Sequence, residues 1–487
     1  MIISLYTSRV VLNELGVEDF GIYNVVGGVV LILGFLNSAM AASTQRFLTF
    51  EIGKNDKEQL RKVFLMSVTI HLIIAILIII VAETIGLWFV DSYMVIPDSR
   101  MHSALWVYHL SVFSFVIMVL SVPYNALIIA HERMKTFALI GMLEVFMKLG
   151  VVLLLVFFDY DKLILYAALL FMISFIIRII YGVYCNTQFE EARSYKLLWD
   201  KDLFISMGNF AGWNLLGVTA GLAYNQGVNI LLNIFFGPMI NASRGIAFQV
   251  QSAVNSFVYN FQVAVNPSIT KLYAKGDTDA SFKLVFSSSK FSFYLLLLLS
   301  MPLILETERV LIWWLGIVPQ YTVIFTRLVL IDILIGSISG SIQCLVQATG
   351  KIRKYQLIIS GILLLNLPTS YLFLKIGYSP VYTIIISIAY SLIALFARLR
   401  ILENLTKFPV KEFIVSVLSR ILLVSFIAGF IGVCLENSIT ESGWKFFSVG
   451  GMISLVLIFS IFVIGLTVSE RKLIKRPALK LIKKIMI

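Results

Sequence analysis

Long apolar stretches alternate with short polar loops along almost the whole chain of 487 residues. A helix that crosses a bilayer needs about 20 predominantly apolar residues in succession. By this rule thirteen segments can span a membrane: residues 20–42, 63–90, 104–130, 137–158, 163–184, 203–236, 240–265, 285–305, 321–349, 355–374, 380–399, 412–435 and 446–468. The pattern therefore predicts an all-α polytopic membrane protein.

Residues 1–12 form a shorter apolar stretch ahead of the first of these segments. As a helix they would extend only about 18 Å, whereas the hydrocarbon core of a bilayer is about 30 Å thick. We therefore expect a truncated first span, which brings the number of transmembrane helices to about fourteen.

One segment in the first half of the chain returns in the second half. Residues 16–64 align with residues 237–286 when a single one-residue gap is allowed. Each copy begins with a glycine, continues as an apolar helix carrying polar residues, reaches a turn rich in Gly, Lys and Asp, and ends in Val-Phe at the start of the next apolar run. Internal repeats of this kind are common in membrane transporters. They predict two pseudo-symmetric six-helix lobes, followed by a C-terminal helix pair.

The repeat and the loop lengths give the expected domain boundaries. They are 1–190 for an N-lobe with spans one to six, 191–202 for a cytoplasmic inter-lobe loop, 203–405 for a C-lobe with spans seven to twelve, 406–470 for two additional spans, and 471–487 for a basic cytoplasmic tail.

The charged residues support this topology. The chain is 59% hydrophobic and only 14% charged, and its net charge is +12. Of its 39 Lys and Arg residues, 27 fall in one set of alternate loops together with the tail, and five fall in the other set. Because Lys and Arg accumulate on the cytoplasmic side, both termini are predicted to be cytoplasmic. Topology thus accounts for most of the positive charge, and no basic soluble domain is present to bind nucleic acid.

The sequence contains no motif of an enzyme active site. It lacks a P-loop and the GxGxxG, HExxH and GxSxG patterns, and its four His and three Cys residues are scattered. We therefore predict no catalytic residue, no metal site and no cofactor.

Three arginines are the candidates for binding an anionic substrate. Arg9 lies near the outer end of the first helix, Arg46 closes the second, and Arg244 opens the eighth. These helices lead the two lobes, and in a two-lobed carrier they would face a central cleft. Arginine stays charged and binds phosphate oxygens bidentately, so the three residues would suit a diphosphate. Each could instead be an interfacial anchor.

Amide side chains concentrate in the same helices. The candidates for lining a polar cavity and binding sugar hydroxyls are Asn24, Asn37, Asn214, Asn225, Gln226, Gln251 and Asn255. Amides hydrogen-bond to hydroxyls, but they also hold neighbouring membrane helices together. Their number across the seventh and eighth spans favours a water-filled cavity.

Other charged residues inside spans are functional candidates that also have structural interpretations. Glu144 and Lys148 lie four apart on one helix face, either as a structural pair or as a site that couples transport to a proton or sodium ion. Arg327 and Asp332 could form a second pair. Lys290 lies close to a cytoplasmic helix end, where a lysine can extend to the interface.

The sequence LYTSRVVLNELGVEDFGIYNVV at residues 5–26, with MAASTQRFLTFEIGK at 40–54 and FFGPMINASRGIA at 235–247, resembles bacterial polysaccharide flippases of the O-antigen (Wzx) type. These belong to the same exporter superfamily as the multidrug MATE carriers. The resemblance implies a two-lobed carrier that moves a polyprenyl-diphosphate-linked oligosaccharide across the bacterial inner membrane by alternating access. It also implies that cavity arginines contact the diphosphate, which by position supports Arg9, Arg46 and Arg244. The first helix of the family normally begins well before the position of Met1 here.

The leading hypothesis is therefore a non-enzymatic flippase for O-antigen or capsule assembly. Its expected partners are the lipid-linked oligosaccharide and membrane lipids, and the polysaccharide polymerase machinery is a further candidate. A cation-coupled multidrug exporter of the MATE type is the first alternative. A membrane polysaccharide polymerase or glycosyltransferase is the second, but it would need a large outer loop or a cluster of acidic or His residues, and the sequence shows neither.

Overall fold

A computed structural model of the chain describes residues 2–31, 34–94, 96–158, 161–193, 197–438 and 445–472. All the regular secondary structure in these residues is helical. The helices α1 to α17 are, in this order, Ile2–Leu31, Gly34–Lys54, Lys57–Val81, Leu87–Tyr93, Asp98–Ala130, Met134–Leu154, Lys162–Gln188, Lys201–Phe236, Pro238–Ala274, Thr278–Leu305, Thr307–Leu315, Thr322–Ala348, Arg353–Lys375, Tyr382–Thr406, Val410–Phe413, Ser419–Ser438 and Lys445–Ser460. Three π-helical turns continue or join them, at Ala82–Gly86, Ile414–Leu418 and Ile461–Gly465.

Eleven helical segments of the described residues are long and apolar enough to cross a membrane. The segment predicted at 20–42 is covered by α1 and α2, which flank residues 32 and 33, outside the described part. The segment predicted at 240–265 lies within α9, which is helical throughout but less apolar than the eleven. The prediction of an all-α polytopic membrane protein is confirmed.

The helices extend further than hydropathy predicted. α2 continues to Lys54, so Arg46 does not close this helix but lies eight residues before its end. The span predicted at residues 63–90 is longer in the structure, where the helical segment is Lys57–Ser92. The added turns carry Lys, Glu and Gln, which a hydropathy window rejects although they are good helix formers. Hydropathy therefore located the apolar parts of these helices and missed their polar ends.

The repeat seen in the sequence has the same backbone geometry in both copies. Gly16 interrupts α1 with φ 78° and ψ 168°, and Gly237 precedes α9 with φ 78° and ψ −179°. A side chain at such a φ would be strained, which explains why each copy starts with glycine. Gly16 thus kinks α1, and the helix resumes directly after it.

The turn at the far end of each copy is also equivalent. Asn55 and Gly276 both have positive φ, of 59° and 82°. Asp56 and Asp277 follow them, and each side chain accepts a hydrogen bond from the backbone N–H three residues on, at 2.9 and 3.1 Å. Such N-caps define the start of the next helix. The two copies therefore end one helix and begin another by the same mechanism.

The chain divides into two compact units, Met1–Val218 and Thr219–Ile487. In the first unit α5 packs against α2, α3 and α7. In the second unit α12 packs against α9, α10 and α14, the helices at corresponding positions of the repeat. The packing thus extends the repeat beyond the aligned sequence, as expected for two lobes. The more detailed boundaries drawn from the sequence stay predictions.

The C-terminal helices α16 and α17 pack against each other and against α10 of the second unit. An ion pair fixes this contact, because the Nζ of Lys290 lies 2.7 Å from Oε2 of Glu470. The two side chains are only 2% and 7% exposed. The expectation that Lys290 extends to the interface is therefore wrong: its charge is neutralised inside the protein by a residue 180 positions away.

A close contact at the π-helical turn of the first unit yields a stability prediction. Tyr108 is fully buried and its hydroxyl donates to the carbonyl of Ala82 at 2.6 Å. A Cβ at Gly86 would overlap with that hydroxyl oxygen. Gly86→Ala should therefore lower the free energy of unfolding by about 1–3 kcal/mol, the usual cost of overpacking. Thermal unfolding of the purified protein in detergent measures this.

Gly141→Ala is the matched control, since a Cβ there meets nothing within 4 Å. Alanine is the better helix former, so this variant should be neutral or slightly more stable. Equal melting temperatures for the two variants would show that the Tyr108 side chain can shift without a loss of stability.

Candidate functional site

A cavity of about 520 Å³ lies within the first unit. It is bounded by α1, α2, α5, α6 and α7. Hydroxyl, amide and charged side chains are prominent in its wall: Tyr23, Gln45, Ser111, Ser114, Ser121, Asn125, Glu144, Lys148, Ser174 and Tyr181. Asn125 donates from Nδ2 to the hydroxyl of Tyr181 at 3.0 Å, which fixes both groups. Such a wall can hydrogen-bond to a ligand rich in hydroxyls.

Glu144 and Lys148 form the predicted pair in the wall of this cavity. Their Oε1 and Nζ atoms are 2.6 Å apart. The side chains are 39% and 49% exposed, so the pair is accessible rather than sealed in the protein. An accessible pair can exchange its partner for a ligand charge, as a binding or coupling role requires. Ion coupling at this pair stays a prediction.

Arg46 lies one residue after Gln45 of the cavity wall and is surrounded by aromatic rings. Its guanidinium carbon is 4.7 Å from the ring centre of Phe47, 4.6 Å from Phe50 and 5.6 Å from Phe210. Cation–π contacts stabilise the charge without neutralising it. Arg46 is therefore a cation held among aromatic rings in the first unit.

The other candidates of the first unit are placed as follows. Asn37 is half-buried in α2, and its Oδ1 has no hydrogen-bond partner among the described residues. Asn214 is only 5% exposed in α8. The side chains of Arg9 and Asn24 lie outside the part of the chain that the structure describes. The predictions for these two residues are thus not examined by the structure.

An ion network ties α1, α5 and α7 together at the end of the first unit that is predicted to be outside. Arg100 contacts Asp19 at 2.8 Å through Nε and Asp161 at 3.0 Å through Nη1. Burial raises the pKa of Asp161, but hydrogen bonds from Ser103 and Arg100 more than compensate, so this pKa is below its ordinary value. The carboxylate is therefore ionised at neutral pH, and the network holds three cavity helices in fixed positions.

Arg244 and Asn225, two of the sequence candidates, come together in the second unit. The Nη2 of Arg244 donates to Oδ1 of Asn225 at 3.4 Å, and the guanidinium lies 4.1 Å from the ring centre of Phe248. The arginine is only 7% exposed. Its guanidinium forms no ion pair with any carboxylate of the described residues. It is thus a buried cation whose charge is not neutralised.

Asp332 is a site residue whose surroundings the sequence did not reveal. It accepts hydrogen bonds from Ser387 at 2.8 Å and Ser391 at 2.6 Å, and Tyr224 donates to Ser387 at 2.8 Å. The pairing of Asp332 with Arg327 is not formed. The serines come from α14, 55 and 59 residues further along the chain, so helix spacing alone could not have indicated them.

The remaining amide candidates lie on α8 and α9, and among the described residues they form no hydrogen bond with one another. Gln226 and Asn255 are exposed and Gln251 is half-buried. An amide exposed to lipid would lose its hydrogen bonds to water, which is costly. Exposed amides in membrane helices therefore favour water or a polar ligand at these faces.

No family model matches the sequence, and no curated protein matches it at the level of sequence. Solved structures do match its fold. One is a multidrug resistance MATE family transporter of the MOP superfamily in an outward-facing conformation, with a TM-score of 0.70 and 13% identity over 83% of this chain and 92% of the other. Another is a MATE structure in a bent conformation, with a TM-score of 0.68 and 14% identity over 83% and 92%.

A third match is a MOP superfamily transporter from Pyrococcus furiosus whose binding pocket has reverse polarity, which suggests a different function for it. Its TM-score is 0.69 and its identity 13%, over 83% of this chain and 93% of that one. All three are transporters. The chain thus has the fold of the MOP superfamily transporters, with two lobes of membrane helices.

Proposed function

We propose that this protein is a flippase that carries a polyprenyl-diphosphate-linked oligosaccharide across the bacterial inner membrane. It would act by alternating access and serve the assembly of O-antigen or capsule. The transporter fold supports the mode of action, and the chemistry of the polar and charged residues supports the class of substrate.

The observation that carries the proposal is the buried, uncompensated charge of Arg244. A buried charge is costly unless a partner neutralises it. A carrier can contain such a buried charge when its partner is the substrate, because the substrate neutralises the charge each time it binds in the transport cycle. Arginine binds phosphate oxygens bidentately, so a diphosphate is the ligand that best suits this position.

The cavity of the first unit, taken by itself, has a wall that suits a sugar. Four serines, two tyrosines and two amides in its wall can donate and accept hydrogen bonds. Its carboxylate, Glu144, is already paired with Lys148. The hydroxyl and amide groups of this wall suit a hydroxylated ligand.

A cation-coupled multidrug exporter is the second candidate. The MATE transporters among the similar structures favour it. Asp332 also favours it, because a carboxylate held by two serine hydroxyls inside a membrane helix could take up a proton or sodium ion. The same coupling site could drive a flippase, so Asp332 concerns the energy source more than the substrate.

Deleting the gene distinguishes the two functions. The proposal predicts loss of surface polysaccharide, accumulation of lipid-linked precursor on the cytoplasmic side, and unchanged sensitivity to drugs. Polysaccharide analysis, extraction of lipid-linked sugars and growth inhibition by cationic drugs measure these outcomes. The wild-type gene returned on a plasmid is the control.

Two results would contradict the flippase assignment. One is unchanged surface glycan without precursor accumulation in a strain that has no second flippase. The other is higher sensitivity to drugs with normal glycan, which would favour the exporter. Loss of glycan with no lipid-linked precursor at all would instead indicate a polymerase or transferase step.

A further inference from the structure

A second cavity, of about 370 Å³, lies in the second unit near the end of α12 that is predicted to be outside. Its wall is formed by the α11 residues Glu308 and Ile312, by the loop to α12, and by Arg327 on α12 itself. This cavity contains none of the residues assigned above to the sugar, the diphosphate or ion coupling.

The cavity holds one cation and one anion that do not neutralise each other. Arg327 donates from Nη2 to the carbonyl of Leu305 at 3.3 Å, and its Nε has no partner among the described residues. Neither Arg327 nor Glu308 forms an ion pair within the described part of the chain. Arg327 is half-buried and Glu308 is exposed, and two charges of opposite sign in one wall suit a ligand that carries both charges.

The apolar surroundings indicate that this ligand is a lipid. α11 presents Trp313 and Ile317, at its end and just beyond, with 88% and 85% of their surfaces exposed. Tryptophan is enriched at the depth of lipid headgroups, so these side chains place the cavity at the membrane interface. The rim residue Tyr321 has φ 68°, a conformation that is rare for a side-chain-bearing residue and is common at binding sites.

We propose that this cavity binds the headgroup of a phosphatidylethanolamine-type lipid from the outer leaflet. The phosphate would lie against Arg327 and the ammonium group against Glu308, with the acyl chains along Ile312 and Trp313. A primary ammonium can donate hydrogen bonds to a carboxylate, whereas the trimethylated group of phosphatidylcholine cannot. The site is therefore selective for the primary amine.

Native mass spectrometry of the delipidated full-length protein tests this with phosphatidylethanolamine, phosphatidylcholine and phosphatidylglycerol of the same chain length. Phosphatidylethanolamine should occupy one site about tenfold more tightly than either other lipid, since its charge-assisted hydrogen bonds reach both side chains. Arg327→Gln should weaken its binding by about tenfold, because the phosphate loses its cation. Glu308→Gln should abolish the preference over phosphatidylcholine.

Arg400→Gln is the charge control, since Arg400 is 72% exposed, lies outside the cavity wall and pairs with Glu403 on the surface. It should bind phosphatidylethanolamine like the wild type. Arg327→Lys keeps the charge and should retain most of the binding, and Glu308→Gln carries the test if Arg327→Gln does not fold.

Three outcomes would overturn the proposal. They are wild-type binding in both Arg327→Gln and Glu308→Gln, equal occupancy by the three lipids, and displacement of the lipid by soluble phosphoethanolamine at equal concentration. The last would show a site for a free headgroup instead of a lipid.

Discussion

Replacing Arg244 by alanine is expected to lower transport of the lipid-linked sugar by at least about tenfold. A hydrogen bond to a charged group contributes about 1.5–3 kcal/mol, and 1.4 kcal/mol corresponds to a factor of ten. Arg244→Lys should recover only part of the activity, because lysine keeps the charge but cannot contact two phosphate oxygens in a fixed plane. Flipping of a fluorescent polyprenyl-diphosphate sugar in proteoliposomes measures the rate.

Asn225 provides a sharper form of the same test. Its Oδ1 accepts the hydrogen bond from Arg244, so Asn225→Asp would place a carboxylate beside the guanidinium with almost no change in shape. The new ion pair should occupy the arginine and lower transport about as much as Arg244→Ala does. Asn225→Ala should have a much smaller effect, because it leaves the cation free for substrate.

Arg400→Ala is the control for loss of a positive charge. Arg400 is 72% exposed and pairs with Glu403 on the surface, so its removal should leave transport unchanged. Full activity of well-folded Arg244→Ala and Asn225→Asp variants would refute the role of Arg244 in diphosphate binding. Melting temperatures of the purified variants separate loss of function from loss of fold.

Removing one partner of the Lys290–Glu470 pair is expected to cause the largest loss of stability. The pair is buried, and a single substitution leaves the other charge without compensation, at a cost of about 3–5 kcal/mol. Lys290→Met and Glu470→Gln should each lower the melting temperature in detergent. The double variant should be more stable than either single one, because no unpaired charge remains.

The same pair gives a pH dependence. Burial raises the pKa of Glu470, but hydrogen bonds from Lys290, Thr467 and Ser287 more than compensate and bring it below 4.5. A lowered pKa stabilises the fold above the pKa of the unfolded state, and this stabilisation is lost as the pH falls towards the folded value. The wild type should therefore lose stability below about pH 4.5 more steeply than Glu470→Gln.

Glu58→Gln is a suitable control, since Glu58 pairs with Lys62 on the surface and is 81% exposed. Exposed pairs contribute little, so its melting temperature should hardly change. If the double variant of Lys290 and Glu470 were less stable than both single ones, the pair itself would be a net source of stability.

The helices of this protein could be predicted because in lipid every backbone N–H and C=O must be satisfied within its own segment. An apolar run of sufficient length is therefore already a helix, whatever surrounds it. The repeat was readable for a similar local reason, since Gly16 and Gly237 are required by a positive φ and Asp56 and Asp277 by the N-cap. Helix ends were less predictable, because polar residues such as Lys54 continue a helix beyond the apolar part.

The candidate site was predicted in part. The spacing of Glu144 and Lys148 was sufficient to predict their ion pair, because both residues lie on one face of one helix. Arg244 and Asn225 were selected individually as polar residues in apolar helices, but nothing in the sequence indicated that they touch. For Arg327 and Asp332 the spacing along one helix predicted the wrong partners, since each side chain hydrogen-bonds to a residue of another helix.

The sequence by itself determined that this is a polytopic α-helical membrane protein with an internal repeat, because hydropathy, turn residues and helix caps act over short distances along the chain. Only the tertiary structure decided which charges are neutralised. Lys290 meets Glu470, Asp332 meets two serines, and Arg244 meets no carboxylate of the described residues. These differences depend on contacts between helices far apart in sequence. For Arg244 they leave a positive charge that we propose binds the substrate.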